Sequence, residues 1–308
     1  MSSPPFLREE HLNYLHQLDS KEAPSLSSFR AESLRMGGVY WALSAVRLLK
    51  GEVSESQVDK IKALVHSCFD SSTGGFGWSS NHDAHITATH YAMLIFRQLG
   101  VEVEANMRTA VLRFVVRRQR PNGAFTADHW GESDLRFSYD AACILSILGG
   151  MSEIVESSFV DWILSCQNFD GGFGPNPGLE SHAAYTFCAV GALSIAGVPI
   201  PKSELLACWL AERQTPSGGF NGRPEKAPDV CYSWWILSAL EMLGKASFVD
   251  KEALAKFILR AQDKGGIADR PDCVPDVFHT FFGLAGLSLV DRDRFGLAPI
   301  DLEFAIVV

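Results

Sequence analysis

The 308-residue sequence has no apolar run that approaches the roughly 18 residues of a membrane span, and its start, MSSPPFLREEHLNYL, has no apolar signal-peptide core. It also has no excess of basic residues, since 27 lysines and arginines face 36 acidic residues and the net charge is −9. A surface that binds nucleic acid needs such an excess, so nucleic acid is not an expected partner. We expect a cytoplasmic protein in which a local cluster of cations binds any anionic ligand.

The sequence has no sign of a disulfide framework. Its seven cysteines are an odd number, and none forms a CxxC pair. Most lie within helical patterns, where cysteine acts as a small buried apolar residue. Cys231 is the exception, because it follows Asp229 by two residues in a segment rich in reactive groups.

A glycine turn recurs at intervals of 47 to 49 residues. The first glycines of the five turns are Gly74, Gly123, Gly171, Gly218 and Gly265. An amphipathic stretch precedes each turn and a far more apolar stretch follows it, which predicts an outer helix, a turn and an inner helix in each repeat. The stretches HLNYLHQL and GGVYWALSAVRLL supply a sixth pair.

Six apolar helices enclosed by six charged ones predict an all-α fold, an α/α toroid of six hairpins. An open superhelix is the alternative, but it would expose one face of each inner helix to solvent. The inner helix sequences are too apolar on every side for such exposure. Each repeat needs its neighbours for burial, so we expect a single domain over residues 1–308. The segment 291–308 is not a repeat and is expected to pack against the barrel.

Three candidate metal ligands share one repeat phase. His279 follows Cys231 by 48 residues, one repeat length, so His279, Cys231 and Asp229 are expected at the same end of adjacent inner helices. Any one of them alone is better explained by packing or helix capping. Together they offer three ligands and an open fourth position, as in a catalytic zinc site.

Cations and neutral donors are expected at the same rim. His182 begins an inner helix, Arg223 and Lys226 lie on the loop before the next one, and Tyr232 begins that helix. Such a cluster suits a diphosphate leaving group, whereas two loop cations alone more often form solvated ion pairs. Below this rim, the inner helices carry the aromatic residues Trp41, Tyr139, Tyr185, Trp235, Phe278 and Phe282. An aromatic cavity under a cationic rim favours a long apolar chain that ends in phosphate.

The strings GRPEKAPDVCYSWW, NFDGGFGPNPGLESHAAYTFC and GGIADRPDCVPDVFHT resemble the β subunits of protein prenyltransferases, above all the type II group that geranylgeranylates Rab GTPases. The resemblance extends from Met36 to Val290. It implies a zinc site at Asp229, Cys231 and His279 and diphosphate contacts at His182, Arg223, Lys226 and Tyr232. It places Arg136 at the cavity and Tyr139, Tyr185, Cys188 and Trp235 in the isoprenoid pocket. It also implies a heterodimer with an α subunit, geranylgeranyl diphosphate as donor, and a Rab GTPase presented by an escort protein.

The resemblance also indicates how long an isoprenoid the pocket accepts. Farnesyl-transferring relatives close the pocket floor with a tryptophan and a tyrosine, at positions that match Gly37 and His90. The missing side chain at Gly37 is therefore expected to leave room for a twenty-carbon chain. Asp269 matches an aspartate that assists Mg²⁺ in those relatives, and a magnesium requirement stays open.

Three alternatives compete with this interpretation. A CaaX prenyltransferase of the farnesyl or type I geranylgeranyl kind would use the same barrel. A terpene cyclase would need a DxDD or DDxxD motif, and the sequence contains neither. A non-catalytic barrel that only binds lipid is the third.

Overall fold

The structure is a computed structural model and describes residues 4–18, 32–154 and 156–308. Within these ranges it contains twelve α-helices in two layers. The outer helices are α1 (Arg8–Leu18), α3 (Glu55–Ser67), α5 (Ala105–Val116), α7 (Glu156–Ser165), α9 (Ser203–Ala211) and α11 (Lys251–Arg260). The inner helices are α2 (Arg35–Leu48), α4 (Ile86–Leu99), α6 (Leu135–Ile147), α8 (Ala183–Ile195), α10 (Tyr232–Met242) and α12 (Val277–Phe295).

The remaining regular structure is short. Single 3₁₀ turns lie at Glu32–Leu34, Met151–Glu153 and Ala246–Phe248, and the strands β1 (Gln262–Asp263) and β2 (Gly266–Ile267) form an antiparallel pair. Each inner helix packs against the next, and α12 packs against α2, so the inner layer is a closed ring. The predicted all-α toroid of six hairpins is therefore confirmed.

Burial follows the two kinds of helix sequence. The outer helix α11 buries one stripe that includes Leu254, Phe257 and Ile258, and its charged residues lie on the other side. The inner helix α8 buries nine of its thirteen residues, from Ala183 to Leu193. Each large apolar side chain that becomes buried contributes about 1.5–3 kcal/mol, which makes the inner ring the principal core.

The glycine turns fit each hairpin against the next. The first glycine of every turn has a φ between +85° and +93°, a conformation that favours glycine. A Cβ on Gly123 would lie 1.8 Å from the carbonyl oxygen of Ser158 in α7, and one on Gly218 would lie 2.3 Å from that of Ala253 in α11. A Cβ on Gly265 would lie 2.5 Å from the carbonyl oxygen of Glu10 in α1, so the fifth turn contacts the first outer helix. The glycine repeat thus closes the outer layer as well.

The C-terminal segment lies across the barrel at the C-terminal ends of the inner helices. The backbone N–H of Ala298 donates to the carbonyl of Leu48 at the end of α2, at 2.8 Å. The hydroxyls of Tyr40 and Tyr139 donate to the carbonyls of Ala305 and Glu303, at 2.7 and 2.5 Å. The predicted segment began at residue 291, but α12 extends to Phe295 because the helix resumes after one non-helical residue, Asp291. Among the described residues, no helix is both long and apolar enough to cross a bilayer.

Candidate metal centre and cavity

The three predicted metal ligands lie together at the N-terminal ends of two adjacent inner helices. Cys231 is the N-cap of α10, Asp229 lies two residues before it, and His279 is the third residue of α12. The ligand atoms of these residues all lie within 4.8 Å of one another. The convergence that the repeat phase predicted is therefore present, with one oxygen, one sulfur and one nitrogen donor.

Asp229 is not the N-cap that the capping alternative expects, because Cys231 holds that position and α10 has no side-chain cap. Oδ1 of Asp229 instead accepts a hydrogen bond from the backbone N–H of Cys231 at 2.8 Å, just before the helix begins. The same oxygen lies 3.3 Å from Nε2 of His279. Burial opposes ionisation, but hydrogen bonds with His279 and Cys231 lower the pKa of Asp229. Burial and the neighbouring Asp229 carboxylate raise the pKa of the Cys231 thiol.

A second carboxylate, which the sequence analysis did not single out, holds the imidazole. Oδ2 of Asp276 lies 2.7 Å from Nδ1 of His279 and accepts its hydrogen. Burial lowers the pKa of His279, but the hydrogen bonds with Asp229 and Asp276 outweigh it and raise this pKa to about 9. The two carboxylates thus stabilise positive charge between them, and Nε2 of His279 faces Asp229. This donor set fits Zn²⁺, whose histidine ligands usually donate the other ring hydrogen to a carboxylate. An Asp three residues before a His at a helix start was the signal that could have identified Asp276.

His182 and Tyr232 form a pair beside this centre. His182 is the N-cap of α8, and its Nδ1 accepts a hydrogen bond from the backbone N–H of Ala184 at 3.2 Å. The neutral ring therefore carries its hydrogen on Nε2, which lies 3.3 Å from the hydroxyl oxygen of Tyr232 and donates to it. Burial and then Arg223 lower the pKa of His182, which favours this neutral form. A Cβ on Gly222 would lie 2.3 Å from the Tyr232 hydroxyl and 2.8 Å from Nε2 of His182. Only glycine therefore fits where the loop passes these two side chains.

The two loop cations differ from each other. Arg223 is half-buried and ion-paired with Glu180, a residue of the preceding loop. Lys226 is exposed, and no carboxylate among the described residues pairs with it. Its backbone carbonyl accepts a hydrogen bond from Nδ2 of Asn221 at 3.1 Å, which shapes the loop. The structure thus places both cations on the predicted loop, and only the arginine shows the ion pair that the solvated-loop alternative expects.

Arg136, predicted to face the cavity, is ion-paired with Glu132 and Asp134. Its guanidinium donates to both oxygens of Asp134, the N-cap of α6, and to Oε1 of Glu132. Hydrogen bonds with Asp134, more than any other effect, raise the pKa of Arg136. The guanidinium also lies 6.0 Å from the ring centroid of Tyr185. Arg136 therefore connects the acidic end of α6 with the aromatic side chains of α8.

Aromatic side chains of α2, α10 and α12 contact one another. Trp235 contacts Tyr232 above it and Phe282 beside it, with centroid separations of 5.4 and 5.3 Å. Phe278 lies edge-on to Trp41 at 5.0 Å, which joins α12 to α2. Tyr139, Tyr185 and Cys188 lie on α6 and α8. Burial raises the pKa of Cys188, so its thiol is neutral. All seven cysteines are unpaired, and five of them are buried.

Two aromatic rings lie against Gly37, the residue expected to leave room for a twenty-carbon chain. A Cβ on Gly37 would lie 3.0 Å from Cη2 of Trp41 and 3.3 Å from Cε2 of Tyr91, so two rings already fill that space. His90 is buried, and its Nδ1 lies 2.8 Å from Oδ1 of Asp140, a residue of α6. Such buried pairing was not visible in the sequence, because the partner is 50 residues away. Asp269, the magnesium candidate, is ion-paired with Arg270.

The sequence matches one family of proteins over almost its whole length. The sequence profile of the prenyltransferase alpha-alpha toroid domain matches residues 6–306, so the chain belongs to this family. Among curated proteins, it is 42% identical over 193 residues to the geranylgeranyl transferase type-2 subunit beta of Saccharomyces cerevisiae and 40% identical over 200 residues to that of Candida albicans. Each match covers 62% of this chain and 58% of the relative, so the matched segment spans little more than half of either relative. The farnesyltransferase beta subunit of Pyricularia oryzae is more distant, at 30% identity over 63% of this chain and 41% of that subunit.

Solved structures share the fold at low identity. The protein geranylgeranyltransferase-I of Candida albicans, in complex with GGPP, has a TM-score of 0.89 at 23% identity, over 98% of this chain and 96% of that one. The type II terpene cyclase MstE from Scytonema has a TM-score of 0.61 at 13% identity, over 86% of this chain and 89% of that one. The toroid alone therefore does not separate transferase from cyclase, and the side chains must do so.

Proposed function

We propose that this chain is the catalytic β subunit of a zinc-dependent geranylgeranyltransferase of type II. It transfers a geranylgeranyl group from geranylgeranyl diphosphate to C-terminal cysteines of Rab GTPases. The observation that carries this proposal is the convergence of the ligand atoms of Asp229, Cys231 and His279 within 4.8 Å of one another. The identity of about 40% to two type-2 beta subunits supports the choice within the family.

Asp229, Cys231 and His279 would hold the zinc ion, and Asp276 would orient the imidazole. When bound, zinc keeps the acceptor thiol ionised at neutral pH, where a free thiol with a pKa near 8.5 is only a few per cent ionised. In the reaction, the acceptor sulfur forms a thioether bond to C1 of the donor while the C1–O bond breaks. The electron pair of that bond leaves with the diphosphate.

The side chains of the rim stabilise the leaving group. Lys226 and Arg223 supply positive charge, and the hydroxyl of Tyr232 supplies a neutral donor whose oxygen lies 3.3 Å from Nε2 of His182. Because His182 gives its Nε2 hydrogen to the oxygen of Tyr232, the phenol hydrogen is free to point at an anion. Donors fixed before the reaction stabilise developing negative charge without reorganisation, which commonly contributes about 10²–10³-fold in rate.

The partners follow from the same proposal. A type II β subunit works as a heterodimer with an α subunit, and an escort protein presents the Rab GTPase, all in the cytoplasm. The net charge of −9 makes the cationic rim a local feature of an acidic molecule, which suits an anionic donor at one point of the surface. Magnesium is not assigned a role, since Asp269 is paired with Arg270.

The test is a transfer assay with the chain copurified with its α subunit. With escort protein present, we expect label from geranylgeranyl diphosphate to appear on the C-terminal cysteines of a Rab GTPase and about one zinc ion per β chain. A matched reaction replaces the Rab complex with a CaaX peptide. Efficient transfer to the CaaX peptide but not to the Rab complex would assign the chain to a CaaX prenyltransferase instead. Donor binding without zinc and without transfer would identify a non-catalytic lipid-binding barrel.

A further inference from the structure

The outer helix α5 and the turn after it carry a basic stripe on an acidic protein. Residues 105–127 contain five arginines and no acidic residue, whereas the whole chain has a net charge of −9. The five are Arg108, Arg113, Arg117, Arg118 and Arg120. Among the described residues, no carboxylate forms an ion pair with any of them. The stripe therefore concentrates positive charge that a negatively charged partner can neutralise.

A groove with basic walls and an apolar floor lies along this stripe. Its volume is about 310 Å³, and it is lined by α5 and by Glu153, the last residue of the 3₁₀ turn after α6. Arg113 and Arg117 are exposed at the groove, whereas Leu112 is buried and Val116 is half-buried. The guanidinium groups thus form the walls, and the two aliphatic side chains form the floor.

Contacts between α5 and the end of α6 fix the shape of the groove. The guanidinium of Arg108, which also lines the groove, donates to the carbonyl of Leu148 from both Nε and Nη2, at 2.9 and 2.5 Å. A Cβ on Gly150 would lie 2.3 Å from Cδ2 of Leu112, so the chain after α6 passes directly against the floor. Arg108 is therefore anchored, and the other two arginines of the groove are the ones available to an incoming anion.

The mixed lining favours one kind of anionic partner. A bare polyanion would leave Leu112 and Val116 uncovered and would be repelled by the carboxylate of Glu153. A membrane surface is broad and flat, whereas these arginines line a concave groove. An acidic peptide fits every part of the lining. Its carboxylates can pair with guanidinium groups in the bidentate manner, an apolar side chain can cover the floor, and its backbone N–H groups can donate to Glu153.

The stripe extends from one end of the barrel wall to the other. Arg108 contacts Leu148 just after α6, whereas Nη2 of Arg120 donates to the carbonyl of Gly131 in the loop before α6, at 2.6 Å. The helical segment from Arg108 to Arg117 rises about 14 Å, which an extended peptide of about four residues spans. Trp130, in the same loop as Gly131, is 77% exposed. Tryptophan and arginine are enriched among the residues that dominate protein interfaces, so this surface suits a protein partner.

We propose that the groove along α5 is a docking site for an acidic polypeptide segment that carries at least one apolar side chain. Acidic side chains of the segment pair with Arg113 and Arg117, and the apolar side chain packs on Leu112 and Val116. The site lies on the outer helical layer, apart from the proposed metal centre. It therefore does not depend on the proposed function.

The experiment measures binding of a short fluorescein-labelled peptide in which Asp and Glu alternate with Leu. Fluorescence anisotropy gives its dissociation constant for the chain copurified with its α subunit. The double variant Arg113→Gln, Arg117→Gln removes two charges and keeps side chains that favour a helix. We expect its dissociation constant to be about tenfold or more above that of the wild type, because two charge-assisted contacts are lost. Binding by the wild type should weaken as the salt concentration rises.

Lys256→Gln, Arg260→Gln is the matched control, because both side chains are exposed on the outer helix α11 and the net charge changes by the same amount. Circular dichroism checks that both double variants are folded. The control should bind the peptide as the wild type does. Equal losses in the two double variants would reduce the effect to overall charge and overturn the proposal, as would a wild type without saturable binding.

Two further probes test the chemistry of the partner. A peptide with Gly in place of Leu should bind more weakly, and equal affinity for it would contradict the role of the apolar floor. Vesicles that contain an anionic phospholipid should not compete with the acidic peptide. Binding to such vesicles but not to the peptide would overturn the proposal and identify the stripe as a membrane contact.

Discussion

Asp276 contacts His279 with both of its carboxylate oxygens. Oδ1 accepts the backbone N–H of His279 at 2.8 Å, which caps α12, and Oδ2 accepts the ring hydrogen on Nδ1 at 2.7 Å. One side chain therefore begins the helix and orients the ligand that the helix carries. Since such a partner fixes the ring and its tautomer, metal affinity should depend on it.

Replacing Asp276 with Asn should lower zinc affinity by about 10–100-fold, because the amide accepts the ring hydrogen more weakly and adds no charge. Zinc affinity is measured by competition with a chromophoric chelator. The matched control is Asp250→Asn, since Asp250 caps α11 by accepting the backbone N–H of Ala253 at 2.9 Å. Both variants lose a charged cap, but only the first touches the proposed metal site. Equal zinc affinities in the two variants would contradict the role of Asp276.

Replacing Cys231 with Ser should remove the bound metal while the toroid stays folded, because a serine hydroxyl stays protonated at neutral pH and binds zinc poorly. Metal content and the sulfur-to-cobalt charge-transfer absorption of a Co²⁺-substituted sample provide two readouts. Cys208→Ser is the control, since Cys208 is exposed on the outer helix α9. A Cys231→Ser variant that keeps one tightly bound metal ion would show that the sulfur is not a ligand.

The repeat phase was sufficient to predict the fold and the meeting of Asp229, Cys231 and His279. A constant spacing of 47 to 49 residues fixes which residues lie at the same height of the barrel, without any knowledge of side-chain packing. The packing of side chains around Gly37 could not be predicted from the repeat spacing. Whether a missing side chain leaves a void depends on how nearby rings pack, here Trp41 of the same helix and Tyr91 of the next hairpin.

Ion pairs between loops were beyond prediction for a similar reason. Glu180 and Arg223 are 43 residues apart, and the sequence contains many other acidic residues that could have paired with this arginine. Asp276 is different, because the local pattern of an aspartate three residues before a histidine at a helix start was readable. Asp276 is not one of the three converging donors, so a pattern of metal ligands alone does not include it.

The glycine turns predict a large difference between two Gly→Ala substitutions. Gly123 has a φ of +89°, and a Cβ there would lie 1.8 Å from the carbonyl oxygen of Ser158, so α7 would have to move. Gly178 has a φ of +79° but no heavy atom within 4 Å of the same position. Gly178→Ala should lower the free energy of unfolding by about 1–2 kcal/mol, the cost of holding a residue with a Cβ at positive φ. Gly123→Ala should lower it by at least about 3 kcal/mol, because the clash with α7 adds to that conformational cost.

Urea unfolding followed by circular dichroism measures both glycine variants under the same conditions. The difference between the two costs isolates the steric contact, since the backbone conformations are alike. Equal losses of unfolding free energy in the two variants would show that the turn does not pack against the next outer helix as described.

The last prediction concerns pH and a helix cap remote from the proposed metal site. His85 is the N-cap of α4, and its Nδ1 accepts the backbone N–H of Thr87 at 3.1 Å. Burial is the largest effect and lowers the pKa of His85, and Arg136 also lowers it. The carboxylates that oppose this shift are those of Asp140, Asp128 and Glu132. The folded state therefore keeps Nδ1 unprotonated at a pH where the unfolded state, with a pKa near 6.5, already binds a proton.

The sign of the pH effect follows from proton linkage. The unfolded state binds more protons, so this contribution to stability is fully present above about pH 6.5 and is lost as the pH falls through the lower pKa of the folded state. The loss should approach the value of a helix cap, about 1 kcal/mol. Asn caps helices without titrating, so His85→Asn should lose less unfolding free energy than the wild type between about pH 7.5 and 5.5. Urea unfolding of both proteins at the two pH values measures the difference, and parallel losses would mean that protonation of His85 does not break the cap.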